Sequence, residues 1–287
     1  MSYLGLSPQE LERQFNPRVA VPDHAAKIGG RAELSAAVRG RLPCQLDMRF
    51  GAGEKETLDI FPAAEAQAPV QLYFHGGYWR ANDKSDMSFM AEPLSAAGAC
   101  TVLANYDLCP AVTLDEVVAQ ARRAVAWTYR HIAEFGGDPQ RLFISGSSAG
   151  AHLSAMALAH DWAADGLPAD VIKGAVLITG VYDAEPVRHI SVNEQIRLDA
   201  EAARRNSPIH LPPRRALPLV VAVGGAETEQ WIGMSRAYAA FCRESGIDCE
   251  YLELPGQDHF TMSGLLGEAD GPLVCAILAQ MGLGRPE

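Results

Sequence analysis

The sequence predicts an α/β fold, built on a mainly parallel central sheet of about eight strands with helices on both faces and a small helical cap. Three observations carry that prediction. Short, almost continuous apolar runs recur at residues 70–75, 100–104, 142–144, 175–179 and 219–223, as strands buried on both faces do. Helical periodicities lie between them. The clearest covers residues 114–132, where Leu114, Val117, Val118, Ala121, Val125, Thr128 and Ile132 share one face. The glycine-rich motifs each stand just after a strand, so the alternation brings them to one sheet edge, where sites in such folds lie.

In chain order, residues 1–40 read as a helical segment set apart from the sheet. Ser7-Pro8-Gln9-Glu10 has capping-box spacing with Pro at the first helical position, and residues 32–38 suggest a second short helix. Such a segment either walls one side of a pocket or merely covers a sheet edge. Residues 45–50 alternate polar and apolar, and residues 57–61 repeat this after a Gly-rich turn, so an antiparallel entry pair is expected at a sheet edge. The strand at 70–75 runs into Gly76-Gly77-Tyr78-Trp79, and a helix over 85–97 ends at Gly98. Thr113-Leu114-Asp115-Glu116 caps the long helix, and Gly136-Gly137 with Asp138-Pro139 ends it.

Beyond the strand at 175–179 the rhythm breaks. Residues 182–215 are polar and proline-dotted, with a helical patch near 192–204. An excursion of that size between strands is expected to be a lid or cap. A strand at 219–223, a helix over 229–245, a strand at 249–254 and a helix opening at Pro272 complete one domain spanning residues 1–287. Its parallel crossovers should be right-handed.

Composition narrows the function. The 287 residues hold 24 Lys+Arg against 35 Asp+Glu, a formal net charge of -11, which argues against nucleic acid or an anionic membrane as partner. No apolar run reaches the roughly 18 residues that span a bilayer, and the first residues lack a signal-peptide pattern. The six cysteines are scattered without a C-x-x-C pair, as expected for reduced thiols in a cytoplasmic protein. There is no H-E-x-x-H, no G-x-G-x-x-G and no Walker loop, so neither a metal nor a nucleotide cofactor is expected. The partner is a small molecule; a homo-oligomer is compatible with the sequence.

The chemistry centres on Gly146-Ser147-Ser148-Ala149-Gly150, a G-x-S-x-G between an apolar run and a helical run. Such a nucleophile elbow holds its serine in a strained turn at the sheet edge. The flanking glycines suit a close passage of strand and helix. The helix N-terminus below the serine favours developing negative charge. A serine hydroxyl needs a base. His24, His131, His160, His189 and His210 lie away from strand ends, and His152 is one helical turn past Ser148. His259 follows the last strand, where the order Ser…acid…His places the base. Its acid should come from the loop after residue 223. Glu227 is favoured there over Glu229, which suits the helix start; Asp258 should point away from His259, and Asp183 is a weaker option. His75-Gly76-Gly77 reads as an oxyanion loop. The N–H groups of Gly76, Gly77 and Ala149 form the hole, and His75 braces the loop.

His75-Gly76-Gly77-Tyr78-Trp79, the elbow through Leu153, and Leu58-Asp59-Ile60-Phe61-Pro62 together resemble the kynurenine formamidase (arylformamidase) branch of the α/β-hydrolases, close to the hormone-sensitive-lipase-like esterases. The resemblance runs over residues 45–262. It implies the α/β-hydrolase fold, with Ser148 as nucleophile, His259 as base and an acid at Glu227, where relatives usually carry Asp. It implies hydrolysis of small carboxylic esters or aryl formamides such as N-formylkynurenine through an acyl-serine. A general carboxylesterase or amidase without a role in tryptophan catabolism is the alternative. A non-catalytic ligand-binding protein of this fold is disfavoured because all three triad candidates are present. Tyr78, Trp79, Trp231 and Phe260 neighbour these residues and either line an aromatic pocket or pack ordinarily.

Overall fold

The eight strands are β1 (Gln45–Arg49), β2 (Thr57–Phe61), β3 (Ala68–Phe74), β4 (Cys100–Ala104), β5 (Gly137–Ser147), β6 (Ile172–Ile178), β7 (Leu219–Gly224) and β8 (Cys249–Leu254). They form one sheet in the order β1-β2-β4-β3-β5-β6-β7-β8 in this structure, a computed structural model that describes residues 3–284. β1 pairs antiparallel with β2, and β2 antiparallel with β4; every other neighbouring pair is parallel. The entry hairpin and the parallel body both follow the sequence prediction.

Strand alternation splits the core in two. Val70, Leu72, Phe74, Val102, Ile144, Leu177 and Val221 meet residues from helices Leu114–His131 and Ala149–Leu158 on one face. Tyr73, Leu103, Phe143, Val176, Ile178 and Val220 meet Leu94 and residues of helix Pro272–Met281 on the other. A sheet apolar on both sides needs helices on both sides, and the period-2 and period-3.6 patterns supply them.

Local signals work as read. Ser7 and Glu10 make a reciprocal capping box. Thr113 Oγ1 accepts the Glu116 N–H at the start of the long helix. Gly136, at φ 80°, ends the 3-10 turn that finishes it. Some boundaries differ. Residues 84–90 form a 3-10 stretch before helix Ala91–Ala96, and β6 starts at Ile172. The N-terminal segment also holds two short helices that periodicity did not reveal, Pro17–Ala20 and His24–Ile28. The first is set by Asn16, whose side chain caps the Arg18 N–H, with Pro17 at the first position.

Residues 182–215 hold two short helices, Asn193–Ile196 and Ala200–Arg205. Arg205 grips Asp115 in a fork of 2.9 and 2.7 Å, and Asn206 Nδ2 donates to Asp115 at 2.9 Å. The excursion is therefore fastened to the start of helix Leu114–His131. No single helix among the described residues is long and apolar enough to cross a membrane.

Candidate active site

The turn from β5 into helix Ala149–Leu158 holds Ser148 at φ 56° and ψ -116°, outside the regions comfortable for a side-chain-bearing residue. Its N–H donates to the Ile178 carbonyl at 2.8 Å, which pins the turn to β6. The two glycines are steric necessities. A Cβ on Gly146 would lie 2.3 Å from the Gly150 backbone, and one on Gly150 would lie 1.9 Å from the Phe74 oxygen. Strand, turn and helix pass too closely for any other residue.

His259 follows β8 and lies with its Nε2 at 3.0 Å from Ser148 Oγ. Its Nδ1 is 2.7 Å from Glu227 Oε2. With the proton on Nδ1 donated to the carboxylate, Nε2 is free to accept the serine proton. The pair is nearly dry: the side chains of His259 and Glu227 are 9% and 2% exposed. The Trp231 ring meets the His259 ring edge-on with centroids 4.6 Å apart.

The other acids stand elsewhere. Glu229 is exposed in the first turn of helix Glu229–Glu244. Asp183 accepts the Glu185 N–H at 2.9 Å. Asp258 turns from its neighbour His259 toward Lys27, at 2.5 Å. Burial would raise the Asp258 carboxyl, but the Lys27 ammonium and the N–H groups of Thr261 and Phe260 outweigh it and hold it below the ordinary range.

The loop after β3 approaches the serine from the other side. Gly77 sits at φ 123°, and a Cβ there would lie 2.2 Å from the Ala81 oxygen. A Cβ on Gly76 would lie 2.8 Å from the Ser147 oxygen and 3.2 Å from Ser148 Cβ. Among the described residues no protein acceptor takes the N–H groups of Gly76, Gly77 or Ala149. Unclaimed N–H groups beside a serine are an arrangement able to receive a developing oxyanion. His75 braces this loop from beneath: Nδ1 lies 2.8 Å from the Gly76 oxygen, Nε2 2.9 Å from Asn105 Oδ1, and the ring stacks on Tyr106. Burial pushes the His75 pKa down, against the pull of those hydrogen bonds. Asn82 also donates to the Gly76 carbonyl, at 3.1 Å. Sequence reading missed Asn82 and Asn105, which no local pattern marks.

A cavity of about 350 Å³ opens onto Ser148, His259, Gly76 and Gly77. Of the four aromatics, Tyr78 and Phe260 border it. Trp79 and Trp231 do not. Their indole N–H groups are drawn inward, to His152 Nδ1 at 3.1 Å and the Thr179 oxygen at 3.1 Å, and both rings are fully buried. The cap expected over 182–215 supplies none of the lining residues, because its long-range bonds hold it to the helices. The opposite wall comes from the N-terminal segment, including Pro17, Arg18 and residues 28–33. His152 is excluded as base by the same network: buried, and bonded to Trp79 and to the Asn206 oxygen.

A family model described as alpha/beta hydrolase fold matches residues 71–263. The chain is 33% identical over 291 aligned residues to a kynurenine formamidase of Salmo salar, covering 96% of this chain and 97% of that one. It is 30% identical to the esterase LipQ of Mycobacterium tuberculosis, covering 74% of this chain and 56% of that one. A crystal structure of a Silicibacter protein superposes with a TM-score of 0.81 at 26% identity, covering 92% of this chain and 97% of that one.

Proposed function

The chain belongs to the α/β-hydrolase fold family, and we propose that it works there as a serine hydrolase of small carboxylic esters and aryl formamides, with N-formylkynurenine as its natural type of substrate. The observation that carries the mechanism is the continuous Glu227–His259–Ser148 line at 2.7 and 3.0 Å. The substrate class follows from full-length similarity to a kynurenine formamidase together with similarity to an esterase.

Ser148 Oγ attacks the ester or formyl carbonyl while its proton passes to His259 Nε2. Glu227 accepts from Nδ1–H and stabilises the imidazolium. The carbonyl oxygen, now an oxyanion, is received by the N–H groups of Gly76, Gly77 and Ala149, each such donor lowering the barrier by roughly 3–4 kcal/mol. Collapse expels the amine or alcohol, which takes the proton from His259. Water, deprotonated by the same imidazole, then releases the acid and restores the serine. Tyr78 and Phe260 present aromatic surface to the cavity, which suits an aryl leaving group. The six cysteines are all free thiols, in keeping with a reducing cytoplasmic setting.

The test compares kcat/KM on N-formylkynurenine with that on p-nitrophenyl acetate and butyrate, with Ser148→Ala as blank. A preference for the formamide of about tenfold, or 1.4 kcal/mol of transition-state discrimination, supports the formamidase reading. Turnover of esters alone removes it and leaves a general carboxylesterase.

A further inference from the structure

The N-terminal segment does more than wall the cavity. Residues 24–31 touch the chain just before His259, just after it and four residues on. Lys27 Nζ lies 2.5 Å from Asp258 Oδ2. Arg31 Nη2 donates to the Phe260 carbonyl at 2.5 Å, and its Nη1 to Ser263 Oγ at 3.0 Å. The His24 ring stacks on the Phe260 ring at 5.1 Å between centroids. These partners lie about 230 positions apart in sequence.

The loop that carries His259 needs such support. It lies between the end of β8 at Leu254 and the short helix Thr261–Gly264, outside the sheet ladder, where the Gln257 carbonyl accepts the Ala226 N–H at 2.9 Å. Asp258 Oδ1 organises it from within by accepting the N–H groups of Phe260 and Thr261 at 2.9 and 3.0 Å. The other oxygen of that carboxylate faces Lys27, so the cation fixes the carboxylate that fixes the loop. Arg31 is half-buried at the cavity wall, and no carboxylate among the described residues lies within ion-pair distance of it. A partly desolvated guanidinium gains from hydrogen-bond acceptors, and here its donors go to two oxygens of this loop. Glu227 and the Trp231 edge orient the imidazole ring, and the loop backbone carries it to its place beside Ser148 Oγ. Placement errors of about 1 Å cost on the order of 10²-fold in rate.

We propose that Lys27 and Arg31 are positioning residues that hold His259 over Ser148, so that the pocket wall and the placement of the base are one element. The proposal rests on the reading of His259 as the general base.

The experiment measures kcat and KM on p-nitrophenyl acetate for the full-length chain, for Lys27→Met/Arg31→Met, for Lys27→Met, for Lys27→Arg and for His259→Ala, with folding checked by circular dichroism. Expected are a fall in kcat of about 10- to 100-fold in the double variant with KM within about threefold. A smaller fall is expected in Lys27→Met, with recovery in Lys27→Arg, which keeps the cation. A folded double variant with kcat within twofold of the parent overturns the proposal, as does a rise in KM alone, which would leave the segment as wall only. Should the double variant not fold, Lys27→Met against Lys27→Arg decides by the same criteria. An active His259→Ala sinks the underlying reading and this proposal with it. An inactive His259→Ala beside a fully active double variant sinks this proposal alone.

Discussion

Glu227 uses both carboxylate oxygens: Oε2 meets His259 Nδ1 at 2.7 Å, and Oε1 accepts the Gly224 N–H at 2.9 Å. The second bond ties the carboxylate back to the last residue of β7, three positions earlier. A glutamate is one methylene longer than an aspartate, and that extra bond removes the freedom the longer side chain would bring. The carboxylate is thereby held in one orientation inside a nearly dry site, where its interaction with an imidazolium is least screened.

Glu227→Gln should therefore lower kcat/KM by about 10³- to 10⁴-fold, because the amide cannot both stabilise the imidazolium and fix its tautomer. Glu229→Gln should stay within about threefold, since that side chain is exposed at a helix start. Steady-state kinetics on one activated ester checks both. The reverse ranking would assign the acid to Glu229.

Ser148, the proposed nucleophile, also sits on a strained backbone. Ser148→Ala should remove turnover by at least about 10³-fold while keeping the melting temperature near the parent's, because alanine bears the same Cβ at φ 56°. Ser148→Gly should be equally inactive yet more stable than Ser148→Ala. Relief of the strained backbone offsets the entropy cost of glycine and leaves about 1 kcal/mol. Thermal melts of the two inactive variants decide this; equal melting temperatures would mean that the elbow stores no more strain than the entropy cost of glycine.

How much of this was legible in the sequence depended on reach. The elbow, the oxyanion loop, His259 and Glu227 are each marked by residues within a few positions of a strand end, and a parallel sheet gathers strand ends. The direction of a side chain is set less locally. Trp79 adjoins the oxyanion loop in sequence, but positive φ at Tyr78 and Trp79 turns the indole toward His152. The excursion at 182–215 was visible by length, whereas its docking depends on Arg205 finding Asp115 ninety positions earlier. Lys27 and Arg31 carry no motif at all; their partners are known only once the chain is folded.

Gly76 and Gly150 should respond differently to the same substitution. In Gly76→Ala the new methyl would press on the Ser147 carbonyl at 2.8 Å and on Ser148 Cβ at 3.2 Å, and the half-buried loop, which lies outside strand and helix, can yield by moving. The N–H groups proposed as oxyanion donors move with it, so kcat should fall by about 10²- to 10³-fold with little loss of stability. In Gly150→Ala the methyl would lie 1.9 Å from the Phe74 oxygen, between a helix and a strand that cannot part. That variant should melt far lower or not fold. Full activity in Gly76→Ala would show that the loop does not serve the oxyanion.

His152 makes stability depend on pH in a window set by its burial. Nδ1 accepts the Trp79 indole N–H at 3.1 Å, and Nε2–H donates to the Asn206 carbonyl at 2.8 Å, so the neutral ring is satisfied on both sides. A second proton would have to sit on Nδ1 against an N–H donor, in a site without water access. Burial accordingly lowers its pKa from 6.5 to about 4, against the pull of the Asn206 carbonyl. The unfolded chain therefore takes up a proton that the folded chain refuses, and stability falls as pH drops from 6.5 toward 4. The loss from this residue reaches about 2 kcal/mol by pH 5, and buried His75 acts in the same direction. His152→Gln has no proton to refuse. Its melting temperature should fall less between pH 7.5 and pH 5.0 than the parent's, by about 4–8 °C. Comparing each protein with itself at two pH values cancels whatever the substitution costs in packing. Parallel pH dependence in the two proteins would mean that His152 is not held neutral by the fold.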